Sequence, residues 1–278
     1  MTQDTNNYKA LNTLLDVVNY TLKQHPELLP YVEETILRAS GFSYDFKENG
    51  EEDLILNFRL LNPKIVFDVG ANVGDWTGTA LEHFQSSTIH SFELSSSTFN
   101  HLTNNIKSSR VVLNNVGLAK KEGLFAYKDY GEDAGINTIL LTSTFHDVNY
   151  SPKLITAQLR RGDAYCDENG IDFIDFLKID VEGAEHLVLA GFEKMLLRKA
   201  VRLIQFEYGY INGDTKFLMR DFYEYFEKLG YITGRVRKGS IYFDKWTYQL
   251  NDFKSGPNYV AIRADDLELK NILSKSTQ

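Results

Sequence analysis

The chain has 278 residues, 43% hydrophobic and 24% charged, which is the make-up of an ordinary globule with length for one large α/β domain plus an appendage. A net charge of −8 disfavours bulk attraction to nucleic acid or to an anionic membrane, although a local basic spot runs from Arg235 to Lys238. No eighteen-residue apolar run predicts a membrane span, the first thirty residues lack a signal-peptide plan, and the single cysteine, Cys166, excludes an intrachain disulfide and fits a reducing cytoplasm.

Leu11, Leu14, Leu15, Val18 and Leu22 recur at helical spacing until Pro26, and Val32, Ile36 and Leu37 predict a second short helix before Ser40-Gly41. Residues 1–45 therefore read as a helical appendage. Plain packing on the core is its simplest role; covering a pocket, or joining copies of the chain in a homo-oligomer, are the others. A turn from Phe46 to Glu52 then leads into a helix predicted over Asp53 to Leu61, which Pro63 ends. Glu51, just before it, either reaches a ligand or serves as a solvated acidic helix start.

Lys64 to Phe67 is an apolar run that reads as a buried parallel strand, and Trp76 to Phe84 has the length and punctuation of a helix. Between them lies Asp68-Val69-Gly70-Ala71-Asn72-Val73-Gly74, a tight turn in which Gly70 and Gly74 allow close backbone approach and small Ala71 leaves room. The spacing is wrong for a nicotinamide fingerprint, which wants G-x-G-x-x-G. Asp68, a carboxylate at the strand end, is a poor neighbour for a pyrophosphate and a good one for a ligand carrying an ammonium and a sulfonium. The turn is therefore read as a pocket for S-adenosylmethionine, with Asp68, Gly70, Ala71, Asn72 and Gly74 as candidate contacts.

The second strand, Thr88 to Glu93, ends in a carboxylate 25 positions after Asp68, which suits a ribose diol that donates two hydrogen bonds. Leu94 follows it as a further candidate contact, and Ser95-Ser96-Ser97 supply caps for a helix to Lys107. A third strand is predicted over Arg110 to Val116, with Asn115 and Val116 as edge and face contacts for an adenine. Gly123 to Tyr127 reads as a short hairpin arm, and residues 128–152 as an unstructured substrate-side loop.

A strand over Phe176 to Ile179 delivers Asp180 and Glu182 to the same carboxyl edge of the sheet, before a helix over His186 to Leu197. Val201 to Phe206 is a fifth strand ending in Glu207-Tyr208. Phe217 to Leu229 reads as an amphipathic helix, Gly230 to Val236 and Asn258 to Ile262 as strands, and the tail over 265–278 as charged and frayed. Alternation of this kind means an α/β, mostly parallel, doubly wound sheet over 46–264.

At this point the residues resemble the FkbM family of S-adenosylmethionine-dependent methyltransferases. The similarity is carried by Asn49-Gly50-Glu51, by the turn from Phe67 to Gly74, by Glu93, and above all by Asp172 to Glu185 with its Lys178-Ile179-Asp180-Val181-Glu182-Gly183 centre. It implies a seven-stranded Rossmann-like methyltransferase sheet whose last strand runs antiparallel, and methyl transfer to oxygen, often a hydroxyl on a sugar or polyketide. The chain departs at Arg161-Gly162-Asp163-Ala164, where the family often has Leu-Asp-Asp and only Asp163 matches.

The expected function is O-methylation of a small-molecule or glycan hydroxyl, with Asp180, Glu182 and Glu207 as candidate bases or acceptor-orienting groups. His186 is a rival base, better read as a surface or packing residue, and Glu185 reads as a structural helix start. A divalent metal on Asp180 and Glu207 is conceivable but disfavoured, so no metal ligand is assigned. An inactive scaffold and a nicotinamide oxidoreductase are the competing classes, and nucleic acid is not expected as a partner.

Overall fold

A computed structural model describes residues 2–39, 42–131 and 134–274. The contacts divide it into two units, residues 1–42 and 43–278. The first consists of helices α1 (Thr2–Gln24) and α2 (Leu29–Ala39), separated by a short turn that opens at Pro26; the Ser40-Gly41 break lies outside the described residues. No helix among the described residues is long and apolar enough to cross a membrane.

The second unit opens with helix α3 (Glu51–Phe58). Strand β1 (Ile65–Val69), helix α4 (Asp75–His83), strand β2 (Thr88–Phe92), helix α5 (Ser96–Asn105) and strand β3 (Val111–Asn114) follow. β1, β2 and β3 pair in parallel. Then come the short strand β4 (Gly117–Leu118), β5 (Gly123–Asp129) and β6 (Lys153–Arg160), and helix α6 (Gly162–Glu168). Strand β7 (Ile174–Ile179) is followed by helices α7 (Glu185–Gly191) and α8 (Glu193–Leu197), and β8 (Val201–Glu207) by α9 (Ile211–Thr215) and α10 (Met219–Lys228). Strands β9 (Tyr231–Arg237), β10 (Ser240–Tyr242) and β11 (Asn258–Arg263) and helix α11 (Leu267–Leu273) complete it.

The main sheet has the order β10-β9-β11-β8-β7-β1-β2-β3, with β11 antiparallel to both β8 and β9. It has eight strands rather than the seven expected, because β10 adds an antiparallel hairpin edge to β9. Alternate residues of each central strand feed opposite faces. Phe176 joins Phe58, Trp76 and Phe84 on one side, while the adjacent Leu177 joins Phe67, Phe192 and Phe206 on the other. Helix α10 covers the second face with Met219, Phe222 and Phe226, a stripe at helical period. β1 sits between β7 and β2, so the chain winds outward in both directions from that junction, and the crevice beyond these strand ends is where an open sheet holds its ligand.

Four expectations need correction. The first helix begins at Glu51 instead of Asp53, because Gly50, at φ +92°, turns the chain directly into it. The predicted helix over His186 to Leu197 is two helices, α7 and α8. The arm at Gly123 closes no short hairpin: β5 pairs antiparallel with β6 across the whole insertion, making a second sheet of order β4-β6-β5. The tail does not fray at Asp265, since α11 buries Leu269 and Leu273 and is capped by Asp266.

Candidate active site

Gly70, at φ +84°, is required by the fold: a Cβ there would stand 1.7 Å from the Asp180 carbonyl oxygen. The N–H groups of Gly70 and Ala71 both donate to the Phe92 carbonyl, at 3.0 and 2.9 Å, so the turn ties β1 to the end of β2. Gly74, at φ +101°, lets the start of α4 approach Leu102 and Ile106. The glycines thus bring the ends of β1, β2 and β7 together, and a cavity of about 290 Å³ opens above them.

Of the residues singled out in the sequence, Glu51, Gly70, Asn72, Glu93, Leu94, Asp180, Glu182 and Glu207 line this cavity. Asp68, Ala71, Gly74, Asn115 and Val116 are not among its walls. Asp68 is fully buried; it accepts a 2.6 Å bond from the Thr77 hydroxyl and lies 3.4 Å from Lys178 Nζ, so its cation is a lysine of the next strand. Asn115 donates to the backbone carbonyls of Glu93 and Leu94, supporting the wall from behind, and Val116 is in the core. Asp163 accepts the Lys194 and Met195 N–H groups, both at 3.0 Å, so the match at the departure from the family pattern serves to fasten α8.

Glu93 is 6% exposed and takes one backbone donor on each oxygen, Asn72 N–H at 3.0 Å and Ser95 N–H at 2.8 Å. Burial pushes its carboxyl up to about 7, against the pull of those two donors. Each oxygen keeps a lone pair for a further donor. Glu51 is held by Asn49 at 2.7 Å, Asn258 at 3.0 Å and Gln205, and burial raises its carboxyl too. Two amide atoms in the cavity wall are buried with no hydrogen bond within the protein, Asn72 Oδ1 and Asn137 Nδ2. The second has its orientation fixed, because Asn137 Oδ1 accepts the Tyr130 N–H at 2.9 Å. An orphaned acceptor, an orphaned donor, a diol-accepting carboxylate and an apolar end made by Phe92, Leu94, Leu118 and Leu159 fit a ligand with a ribose, an amine and an aromatic base.

Three carboxylates stand at the other end. Asp180, Glu182 and Glu207 each place an oxygen within 4.8 Å of the others, a set that can also hold a divalent cation. Burial pushes Asp180 up, but Lys178 Nζ at 3.2 Å and the Glu207 carboxyl outweigh it and hold Asp180 below the usual range. Glu207 is pushed well up by burial and by Asp180 and Glu182, so it carries a proton and donates it to Asp180. Burial also raises Glu182, opposed by His146, whose Nε2 is 3.5 Å from Glu182 Oε2. Lys178 itself would lose basicity by burial, but Asp68, Asp180 and Glu51 hold it protonated. Glu182, Glu207 and Tyr44 also line a second cavity, shared with His146, Tyr210 and Ile211.

The insertion at 128–152, expected as an unstructured loop, is ordered over its described residues. Lys128 pairs with Asp147 and donates to the Thr142 carbonyl at 2.7 Å, Tyr130 donates to Asp147 at 2.8 Å, and Gly135, Asn137 and Ile139 form part of the cavity wall. Sequence reasoning missed His146, Asn137 and Tyr44. Their only signal was position in or beside segments that otherwise lack a period. His186, the histidine it weighed, stacks on Phe217 at 4.9 Å and lines neither cavity. Glu185 accepts the Val181 and Gly183 N–H groups at 3.2 and 3.1 Å, the structural part expected of it.

The family model described as the methyltransferase FkbM domain matches residues 68–233, more than half of the chain. A search of curated proteins gives no match. Among solved structures, a putative O-methyltransferase from Klebsiella pneumoniae is similar at 14% identity and TM-score 0.45, over 88% of this chain and 94% of that one. Precorrin-6y C5,15-methyltransferase from Geobacter metallireducens GS-15 is similar at 13% identity and TM-score 0.41, over 80% and 93%. The plantazolicin methyltransferase BpumL, in complex with SAH, is similar at 10% identity and TM-score 0.38, over 76% and 82%.

Proposed function

The chain belongs to the FkbM family of S-adenosylmethionine-dependent methyltransferases, and from that premise we propose that it methylates a hydroxyl oxygen of a small-molecule acceptor, a sugar or glycan or a polyketide-like alcohol. One observation carries this reading: Tyr44, Glu182 and Glu207 line both the cavity that fits the methyl donor and the second cavity beside it. A group bound in the second cavity meets carboxylates at the point where it faces the first.

S-adenosylmethionine, when bound, supplies a methyl group on a sulfonium. Glu93 would hold the ribose hydroxyls, and Asn72 and Asn137 would pair with polar atoms of the same ligand. In the first cavity Asp180 stays ionised on Lys178, and at the shared wall Glu207, protonated, is a hydrogen-bond donor. Glu182 is the carboxylate left to accept a proton, with a basicity raised by burial. Glu182 would take the proton of the acceptor hydroxyl as that oxygen is methylated. Alignment of oxygen and methyl supplies most of the acceleration, and removal of the proton the remainder.

Calorimetric titration with S-adenosylhomocysteine, on wild type and on Glu93→Ala, tests the donor site. Binding by wild type and its loss in the variant are expected; neither heat nor a thermal shift with wild type would remove the assignment of the cavity. Incubation with deuteromethyl donor and a panel of glycosides and polyketide alcohols, with Mg²⁺ and with EDTA, then tests the acceptor. A product labelled on nitrogen or carbon would overturn the oxygen assignment, and activity abolished by EDTA would transfer the role of the carboxylates to a cation.

A further inference from the structure

Glu182 is a residue with a side chain in left-handed backbone, at φ +55°, followed by Gly183 at φ +90°. That conformation disfavours any residue with a Cβ and persists only where its surroundings impose it. The insertion supplies such surroundings. The Thr138 hydroxyl donates to the Glu182 carbonyl at 2.9 Å, and Thr138 Oγ1 accepts the Leu140 N–H at 3.2 Å, so the hydroxyl proton has one direction to point. Leu140 packs where a Cβ on Gly183 would stand, 3.0 Å from its Cδ1. Eight residues beyond Thr138, His146 sets Nε2 3.5 Å from the Glu182 carboxylate.

The insertion is itself anchored. Thr138 exchanges both backbone hydrogen bonds with Lys128, at 2.8 and 3.2 Å. Lys128, 6% exposed, pairs with Asp147, and Asp147 also accepts the Thr144 N–H at 2.7 Å and the Tyr130 hydroxyl at 2.8 Å. Asp147 is the neighbour of His146 within one short helical turn, Phe145–Val148, so the ion pair fixes the turn that carries the imidazole.

We propose that residues 138–147 form a brace that holds Glu182 in position as the proton acceptor, with Thr138 acting on its backbone and His146 on its carboxylate. Both are positioning residues that act through Glu182: Thr138 lines neither cavity, and His146 borders only the second, with its Nε2 turned to the Glu182 carboxylate. The inference rests on the reading of Glu182 given above. The other groups facing Glu182 are Asp180 and Glu207 from the strand ends, Lys178 behind them, Tyr44 ahead of α3 and Tyr130 from β5's end. With two carboxyls among these neighbours, removal of His146 leaves Glu182 harder to ionise.

The test is a carbon-13 NMR titration of the Glu182 carboxyl in glutamate-labelled protein saturated with S-adenosylhomocysteine, assigned with Glu182→Gln. His146→Phe is expected to raise the Glu182 midpoint by about one pH unit or more while leaving S-adenosylhomocysteine affinity within about threefold of wild type. His146→Gln, which restores an N–H donor, is expected to bring the midpoint back toward wild type. Thr138→Val, near in shape and lacking only the hydroxyl, is expected to raise the midpoint as well and serves where the phenylalanine disturbs folding. Equal midpoints in wild type, His146→Phe and Thr138→Val, with the ligand bound equally, would overturn the brace and leave the methyltransferase site standing. Wild type that takes up no S-adenosylhomocysteine would overturn both.

Discussion

At the scale of single residues, Glu93 couples ligand to proton. Burial holds its carboxyl at about 7, and a ribose diol that donates two hydrogen bonds is served only by the ionised form. Binding therefore strengthens as pH rises through that value and levels off above it. The ionised fraction of a group titrating near 7 grows about tenfold from pH 6 to pH 8, so the Kd for S-adenosylhomocysteine should tighten by about tenfold over that interval. Calorimetry at pH 6, 7 and 8 measures it, and Glu93→Gln should bind more weakly and with a flat profile; an equal slope in the variant would place the titrating group elsewhere. The carboxylate itself was legible in the sequence because a strand end fixes its depth in the sheet. Asp68 shows the limit of that argument. A strand-end carboxylate can point forward into the crevice or sideways to the neighbouring strand, and the partner that decides, Lys178, is 110 positions away in the chain.

At the scale of elements, what the sequence announced were the segments with one clear period or one clear punctuation: the central strands, α10, and the glycine turn. It did not announce β6, whose residues are mostly exposed and so carry no burial pattern, nor the order of the insertion, which rests on one buried ion pair and a few side-chain hydrogen bonds. The end of the chain is the third case. Charged residues there suggested fraying, but Asp266 caps α11 by accepting the Leu269 N–H at 3.0 Å and pairs with Arg202 at 2.6 Å, while Leu269 and Leu273 are fully buried against the α3 side of the sheet. One of those charged residues, Asp266, is the fastening of the helix. Truncation after Ala264 removes two buried leucines and strands the Arg202 guanidinium, a loss of roughly 3–6 kcal/mol. For a domain of this size the midpoint of thermal unfolding should fall by about 10 °C or more. Thermal and urea unfolding of the truncated chain measure it, and an unchanged midpoint would restore the frayed tail.

At the scale of the whole molecule, the site gathers buried carboxyls whose native titration is displaced, and stability must answer to pH accordingly. Glu93 is raised to about 7 and Glu185 to about 8, both chiefly by burial, and Glu51, Glu182 and Glu207 are raised as well. Each is protonated in the folded chain at a pH where the unfolded chain has ionised it. Their contribution is therefore fully present below about 4.5, the ordinary glutamate value, and is lost as pH rises through 7 and 8. Asp180 and Asp266 act in the opposite sense: Lys178 and Arg202 overcome burial and hold them below 3.8, so their contribution is present above that value and lost on acidification. The two sets together place the stability maximum of the free protein on the acidic side of neutrality. Glu185 is the informative member, because it is 1% exposed, borders the second cavity but not the first, and accepts two backbone N–H groups that a glutamine oxygen can also accept. Glu185→Gln should match wild type at pH 5 and exceed it at pH 8.5 by roughly 2–4 kcal/mol, because the glutamine has no proton to lose. Urea unfolding at the two pH values decides it. A variant destabilised equally at both would mean that Glu185 is held ionised, its charge supported by the Val181 and Gly183 donors, and that the alkaline decline comes from the other raised carboxyls, Glu93, Glu182 and Glu207 among them.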